Sequence, residues 1–372
     1  MSLTPELGKR GRFAKVSKSL VMDTATSKIP PSAPSILIIL MGSIGDVARG
    51  LCLVSHIKNN LPGSRVTWLV EPMCSEVVCL HPRIDKMIVF NRPRNILGIR
   101  DLYKDLSGEH FDITLDLQRH LKSGFFSFLS GAKRRIGFNR RNSGEFNWIF
   151  NNEHIPYASD ELELPKLHHY LKFTEYLGLS EPASLDFGFS YFDEKFNLPD
   201  IVAKISKPFI AVVMGSSWES KDWFFEGYYR LVKNILSSMK GAVVLLGDGS
   251  QASSATKLYQ KVGSQELIDL VGKTTIPELV AVLKAAAAGM GPDSGPGHLA
   301  AAVGTPYVSL FGPTSPKRAA PYNCEHLVVQ SELSCVSCYK KKCPDLDRLC
   351  MRRISVESVQ EKLSLALGTV GA

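Results

Sequence analysis

Apolar runs alternate with amphipathic segments along the first half of this chain. Residues 36–41 (ILIILM) are continuously apolar, which is typical of a strand covered on both faces in a parallel sheet. A glycine turn (GSIGD), a helical pattern over 46–60 and a second apolar strand at 66–70 complete a βαβ unit. The same alternation predicts two further strands and a helix, at 86–90, 113–117 and 122–130.

The alternation restarts after a stretch containing Pro and Asp near residues 197–208. It predicts strands at 209–214, 242–246 and 267–270 and helices at 225–240, 253–262 and 274–287. Strands that alternate with helices predict an α/β fold, here two doubly wound, Rossmann-like domains over 35–200 and 201–352. A helix at 355–367, in a terminal segment 353–372, packs back on one of the two domains, and the N-terminal domain is one candidate. Ligands of such sheets bind at the carboxyl ends of the strands, so a central cleft between the domains is expected.

A glycine-rich segment at 289–316 has the order strand, turn, helix, strand. Ser294 is placed to cap a helix that continues to Val303 and stops at Gly304. A helix N-terminus carries free N–H groups and partial positive charge, so a phosphate or diphosphate is the expected ligand. The alternative is an ordinary turn that starts a helix.

Composition and charge narrow the class of protein. The chain has 372 residues, of which 44% are hydrophobic and 22% charged, and no apolar run reaches the 18 to 20 residues of a membrane span. No secretory signal is recognisable, so a cytoplasmic location is expected. Residues 1–34 hold six Lys or Arg against two acidic residues and are predicted to form a flexible basic leader, whose first few residues resemble a cloning remnant.

A second basic cluster contributes to the net charge of +8. It comprises Arg119, Lys122, Lys133, Arg134, Arg135, Arg140 and Arg141. Such a cluster suits an acidic substrate or an anionic membrane surface, and no nucleic-acid fold signature accompanies it. A solvated basic face is the alternative.

Eight cysteines in a chain expected in the cytoplasm argue against a disulfide framework. Four of them are spaced like ligands of zinc or of an iron–sulfur cluster, namely Cys335, Cys338, Cys343 and Cys350. The alternative is a set of thiols that stabilises a loop.

Four segments with chemical potential follow predicted strands. Asp46 could act as a general base, although its spacing alone favours a helix N-cap. Ser216, Ser217 and Lys221 could bind a diphosphate, and Lys221 could neutralise a departing one, unless it is a surface lysine. Gly247, in the turn LLGDGS, is a weaker candidate for approach to a nucleobase or ribose. The fourth segment is the glycine-rich one, with Asp293, Ser294, Gly295 and His298.

In this order the residues resemble the ADP-heptose:lipopolysaccharide heptosyltransferases of glycosyltransferase family nine. The resemblance covers residues 36–367 and is carried by GSIGDVARGLCLVSHIKNNLPGSRVTWLVEP at 42–72, DLQRHLKSG at 116–124, KRRIGF at 133–138, HHYLKFTEYLG at 168–178, GSSWESKDW at 215–223 and GPDSGPGHLAAAVGTPYVSLFGPTSP at 291–316.

The resemblance implies the GT-B fold and an inverting transfer of heptose from ADP-heptose without a metal or other cofactor. It implies that Asp46 is the catalytic base and that Lys221 and the helix start at Ser294 stabilise the ADP leaving group. It assigns donor binding to Ser216, Ser217, Lys221, Gly247, Asp293, Ser294, Gly295 and His298. An anionic, lipid-linked acceptor such as inner-core Kdo sugars would meet Arg119, Lys122 and Arg140, with a peripheral contact at the inner face of the cytoplasmic membrane and no nucleic acid as partner.

The helix after Asp46 departs from the family pattern. Cys52 stands where a proline is usual, Gly50 where threonine or a similar residue is usual, and Arg49 is itself unusual. These changes bear on the acceptor more than on the donor. Two alternatives therefore stay open, transfer of another nucleotide-linked sugar in cell-surface glycan assembly and a non-catalytic nucleotide-sugar-binding module. A dinucleotide oxidoreductase is disfavoured because no GxGxxG opens the first βαβ unit.

Overall fold

The computed structural model describes residues 33–91, 97–160, 163–192, 197–238 and 241–368. The predicted basic leader therefore lies, apart from residues 33 and 34, outside the described residues. The described residues form two six-stranded parallel sheets. The first contains β1 Ser35–Ile39, β2 Arg65–Val70, β3 Lys86–Val89, β4 Ile113–Asp116, β5 Arg134–Gly137 and β6 Glu153–His154. The second contains β7 Phe209–Val213, β8 Ala242–Leu246, β9 Leu267–Asp269, β10 Ala288–Pro292, β11 Tyr307–Phe311 and β12 Val328–Gln330.

Both sheets have the same doubly wound topology. The first has the order β3-β2-β1-β4-β5-β6, and the second has the equivalent order, read from the other edge, β12-β11-β10-β7-β8-β9. In the first sheet β1 lies centrally, where Ile38 pairs with Trp68 of β2 and with Leu115 of β4. Residues 36–39 of β1 are covered on both faces of the sheet, and this explains the unbroken apolar run of the sequence. The prediction of two Rossmann-like α/β domains is confirmed.

Helices connect and cover the strands of both sheets. In the first half they are α1 Ile44–Gly50, α2 Cys52–Asn60, α3 Pro72–Cys79, α4 Leu97–Ser107, α5 Leu121–Leu129, α6 Lys166–Tyr176 and α7 Asp200–Ala203. In the second half they are α8 Phe225–Ser238, α9 Ala252–Val262, α10 Ile276–Ala285, α11 Gly295–Ala302, α12 Pro316–Ala319, α13 Leu349–Arg352 and α14 Val356–Gly368. The single helix predicted over 46–60 is divided at Leu51 into α1 and α2.

The terminal helix α14 packs on the second domain. It contacts α8, β10, β11 and β12, and its buried Val359 and Leu363 face that sheet. Polar contacts fix the same position, since Arg230 bonds Glu357 at 2.7 Å and Asn234 bonds Gln360 at 3.1 Å. Of the two domains that the sequence left open for this helix, the N-terminal candidate is corrected to the second domain.

Among the residues that the structure describes, no helix has both the length and the apolar character needed to cross a membrane.

Candidate active site

The starts of two helices, one from each domain, meet in the cleft. Helix α1 follows β1 and helix α11 follows β10, so both begin at the carboxyl edge of their sheets. Glycines permit the approach: a Cβ on Gly45 would lie 2.7 Å from Cδ2 of His298, and a Cβ on Gly295 would lie 2.7 Å from Cγ2 of Ile44. A side chain at either position would force the helices apart. The glycine turns of the sequence thus bring the two predicted halves of the site into direct contact.

Asp46 lies in the first turn of α1, and cationic side chains bind its carboxylate. Its Oδ1 accepts hydrogen bonds from Arg49, from Nζ of Lys166 at 3.1 Å and from the hydroxyl of Tyr170 at 3.2 Å. Its Oδ2 accepts a bond from the Ser43 hydroxyl at 3.1 Å. Ser43, not Asp46, occupies the N-cap position, so the alternative interpretation of Asp46 as an N-cap is wrong.

The pKa of Asp46 is set by two opposing effects. Burial raises the pKa of this carboxyl, but the charges and hydrogen bonds of Arg49 and Lys166 outweigh burial and hold it well below its usual range. Burial lowers the pKa of Lys166, which the neighbouring Asp46 partly opposes. Asp46 is therefore ionised, and in this arrangement it is a weak base because two cations compete for its lone pairs.

Arg49 joins the two domains through His298. Its Nη1 lies 2.5 Å from Nε2 of His298, and its Nη2 donates to Asp46. Burial lowers the pKa of His298 well below its usual value, and the adjacent Arg49 lowers it further, so the imidazole is neutral. Because a guanidinium can only donate, Nε2 accepts the bond and the proton resides on Nδ1. The Nε of Arg49 is buried without a partner among the described residues.

Lys221 and Asp293 form the centre of the second-domain half. Nζ of Lys221 lies 2.7 Å from Oδ2 of Asp293 and 3.2 Å from its carbonyl oxygen, and it lies over the ring of Trp218 at 4.6 Å. The Thr314 hydroxyl donates to the same Oδ2 at 2.7 Å. Lys221 is thus a half-buried cation beside the start of α11, which excludes the alternative of a surface lysine.

Ser294 occupies the N-cap position of α11, as predicted, but its side chain does not cap the helix. The hydroxyl donates to the carbonyl of Pro292 at 3.0 Å. The predicted capping hydrogen bond is therefore wrong, because the extended backbone at Ser294 turns the hydroxyl back toward the strand. The start of α11 therefore has no side-chain cap, and its first N–H groups can donate to an anion.

The other donor-site candidates lie in the turns after β7 and β8. The Ser216 hydroxyl donates to the carbonyl of Trp218 and accepts from its N–H, both at 3.1 Å, which fixes that turn. Ser217 is exposed. Gly247 has a φ of 157°, and a Cβ there would lie 3.0 Å from the carbonyl of Met214.

The three residues predicted for the acceptor contact different partners. Arg119 lies 4.1 Å over the ring of Phe138, and burial, aided by the nearby Arg318, lowers its pKa to about 10. Its charge also acts on Tyr170, so Arg119 belongs to the cluster around Asp46. Lys122 instead bonds Glu71 at 2.6 Å, and Arg140 lies 4.9 Å over Trp148.

Sequence reasoning missed Lys166, Tyr170 and Arg318. Lys166 and Tyr170 are four residues apart on α6, which places both on one face of that helix, but nothing local shows that this face meets Asp46. Arg318 lies on α12, directly after the glycine-rich segment. With Arg49, Arg119 and Lys221 these residues surround two carboxylates, Asp46 and Asp293, with an excess of positive charge.

The four clustered cysteines are free thiols. Within the described ranges, no group of three or more His, Cys, Asp or Glu side chains is arranged to hold a metal ion.

Two Rossmann-like domains that face each other across a cationic cleft are the architecture of the GT-B fold. The family model of glycosyltransferase family 9 (heptosyltransferase) matches residues 99–347. This chain belongs to that family.

Individual relatives agree with this assignment. The chain is 30% identical over 294 residues to the lipopolysaccharide core heptosyltransferase OpsX of Haemophilus influenzae, covering 78% of this chain and 82% of that protein. It is 26% identical over 357 residues to lipopolysaccharide heptosyltransferase 1 of Pseudomonas aeruginosa, covering 89% and 98%.

Solved structures share the fold. The structure of Escherichia coli heptosyltransferase WaaC with ADP superposes with a TM-score of 0.73 at 20% identity, covering 89% of this chain and 99% of that chain. Escherichia coli ADP-heptose lipopolysaccharide heptosyltransferase II gives 0.70 at 20% identity, covering 91% and 100%.

Proposed function

We propose that this enzyme transfers heptose from ADP-heptose to an anionic sugar of the lipopolysaccharide core, with inversion at the anomeric carbon. The observation that carries the proposal is the meeting of Asp46, on α1 of one domain, with the start of α11 in the other. An ADP diphosphate at α11 and Lys221 leaves its sugar directed at the Asp46 side of the cleft. The names of the relatives and the positive charge of the cleft support the same donor and acceptor classes.

In the proposed mechanism Asp46 removes the proton of the acceptor hydroxyl as its oxygen attacks the anomeric carbon. The bond from that carbon to the diphosphate breaks, and Lys221 and the helix start receive the negative charge. Asp46 becomes an effective base only when Arg49 and Lys166 turn to the anionic groups of the substrates. Substrate binding then raises the pKa of Asp46, so that its carboxylate becomes a stronger base in the complex that reacts.

Replacement of Arg49 by alanine is expected to move the acidic limb of the kcat/KM pH profile upward by about one pH unit or more. Arg49 lowers the pKa of Asp46, so without it Asp46 takes up its proton at a higher pH and stops acting as a base there. Because the pKa of Asp46 lies well below its usual range in the wild type, the wild-type rate should stay level as the pH falls, whereas the variant should lose rate at the acidic end. Initial rates are measured from pH 8 down to the lowest pH at which both enzymes stay folded. Arg83→Ala, which removes an arginine bonded to Asn59 outside the cleft, is the matched control. An unmoved limb would show that Arg49 does not tune the base.

A panel of nucleotide sugars tests the donor. At a concentration one hundred times its Kd, a ligand of the folded state stabilises the protein by about 2.7 kcal/mol, which raises Tm by about 5–11 °C for a domain of this size. We expect this shift with ADP-heptose and ADP, and not with UDP- or GDP-linked sugars. Transfer to a core acceptor is measured in parallel. A larger shift with another nucleotide sugar would show that this sugar, and not ADP-heptose, is the donor. Binding without transfer would favour a non-catalytic module.

The acceptor of such a reaction is lipid-linked, so the proposal includes work at the inner face of the cytoplasmic membrane by a protein that binds there peripherally. The basic residues of the first domain, seven Lys or Arg against two Glu over 119–158, support this location.

A further inference from the structure

Exposed large apolar side chains gather on one face of the first domain. Five of them come from residues 121–157, and Phe146 and Ile149 are 68% and 58% exposed. We call this set the docking face; it consists of Leu121, Phe128, Phe146, Ile149 and Tyr157. Scattered exposed apolar residues are normal on soluble proteins, whereas a contiguous group rimmed by polar residues indicates an interaction surface.

Contacts join Leu121, Phe128, Phe146 and Ile149 of the docking face into one surface. Helix α5 carries Leu121 and Phe128, and it packs against the short 3₁₀ helix Asn147–Ile149. The Leu121 N–H donates to Glu145 at 3.1 Å, which brings Leu121 beside the residue that precedes Phe146. The rings of Phe128 and Phe150 lie 6.4 Å apart, which joins the other end of α5 to the residue after Ile149.

Buried hydrogen bonds fix the segment that carries Phe146 and Ile149. Asn147, between them, is fully buried and donates to Asp116 at 2.6 Å, and Asn151 donates to the same carboxyl oxygen at 3.2 Å. Burial raises the pKa of Asp116 to about 6, although these hydrogen bonds oppose the rise. Phe146 itself has a φ of 57°, a left-handed conformation that is unfavourable for a bulky residue. The fold thus holds an aromatic side chain outward in a strained backbone, a pattern that indicates function.

Cations surround these apolar side chains. The guanidinium of Arg135 lies 5.7 Å from the ring centre of Phe128, and that of Arg141 lies 5.2 Å from the ring centre of Tyr157. Lys133 is exposed on the same segment. Apolar side chains that enter the acyl region, beside cations that meet phosphate head groups, are the combination by which proteins bind the surface of an anionic bilayer.

We propose that the docking face binds an anionic phospholipid bilayer, with Phe146 and Ile149 inserted among the acyl chains. This inference rests on the proposed function, because a lipid-linked acceptor gives the enzyme a reason to work at a membrane. Arg119, two residues before Leu121 of the docking face, belongs to the cluster around Asp46. Docking by this face brings the acceptor side of the cleft to the lipid surface.

Sedimentation of the full chain with vesicles tests the inference. Vesicles of phosphatidylglycerol and phosphatidylethanolamine are expected to bind the enzyme, more weakly as salt increases, and pure phosphatidylcholine vesicles are not. Phe146→Ser and Ile149→Ser should each weaken partitioning about tenfold. Ile201→Ser removes an isoleucine of similar exposure from α7, outside the docking face, and should bind like the wild type. Unchanged binding of both Phe146→Ser and Ile149→Ser, or equal binding to phosphatidylcholine, would overturn the inference.

Two further measurements separate this inference from its rivals and from the proposed function. The combined variant Phe146→Ser/Ile149→Ser should transfer to a water-soluble, delipidated acceptor like the wild type and lose at least tenfold in rate on an acceptor embedded in vesicles. Equal rates of both enzymes on the embedded acceptor would refute the docking face. If the wild type fails on the soluble acceptor, the proposed function fails, while vesicle binding is judged by sedimentation alone. Loss of self-association instead of vesicle binding in the variant would identify the face as a contact between copies of this chain.

Discussion

Asp46→Asn is expected to lower kcat by about 10²- to 10⁴-fold while the Kd for ADP stays within about twofold of the wild-type value. Asparagine has nearly the shape of aspartate but cannot accept the proton of the acceptor hydroxyl. The donor contacts proposed at Lys221 and α11 belong to the other domain, so ADP binding does not depend on this carboxylate. Single-turnover rates and calorimetric titration with ADP measure the two effects.

A matched control exists in the same domain. The carboxylate of Asp85 is also bound by a lysine, since its Oδ2 lies 2.6 Å from Nζ of Lys58. Asp85 joins α2 to β2 through this contact and the N–H of Val66, outside the cleft. Asp85→Asn should alter stability and leave kcat unchanged. The loss of negative charge in Asp46→Asn also leaves Arg49 without its anion, so the denaturation midpoint of each variant must be compared with the wild type. A variant of Asp46 that keeps more than a tenth of the wild-type kcat would exclude this residue as the base.

Lys221→Met is expected to reduce kcat by about 10²- to 10³-fold and to weaken ADP binding. Methionine retains much of the length and apolar stem of lysine, while the charge and the cation–π contact with Trp218 are lost. The substitution also leaves Asp293 without its cation, at 2.7 Å from where the ammonium was, and that carboxylate then repels the diphosphate. Steady-state kinetics with ADP-heptose and the Kd of ADP measure the effect.

The double variant Lys221→Met/Asp293→Asn identifies the origin of the loss. If Lys221 served only to neutralise Asp293, removal of both charges would restore kcat. We expect recovery of ADP affinity and little recovery of kcat, because the leaving group still lacks its cation. Lys273→Met, which breaks the comparable pair with Asp269 at 3.2 Å in the same domain, should leave the kinetics unchanged.

The strands and most helices followed from the sequence because local patterns determine them. The run at 36–41 has no polar position, and only a central strand such as β1 buries both faces. The start of α10 was equally readable, since Thr275 and Glu278 form a capping box within four residues. The docking of α14 was not, because an apolar stripe specifies that a helix is covered without specifying by which domain.

The site shows the same division between local and distant information. Asp46 and the glycine-rich segment are recognisable because their turn residues are contiguous. Lys166 and Tyr170, which bond Asp46, stand 120 and 124 residues away along the chain, and His298 stands 249 residues from Arg49. Such partners are set by how two domains close on each other, which no window of sequence contains. Arg49 was noticed as unusual, but its position between the proposed base and His298 required the fold.

Helices α1 and α11 meet at glycines, and this contact limits how the domains of such enzymes can be recombined. Each domain has its own complete sheet, and residues near 200 offer a natural point at which to join the first half of one protein to the second half of another. The two halves nevertheless share one steric condition, since a side chain at Gly45 would meet His298 and a side chain at Gly295 would meet Ile44. A chimera that inherits a side chain at either position would fold both halves and hold its base too far from its leaving group. Exchange of acceptor and donor specificities by domain swapping therefore requires a glycine at both positions, one from each parent protein.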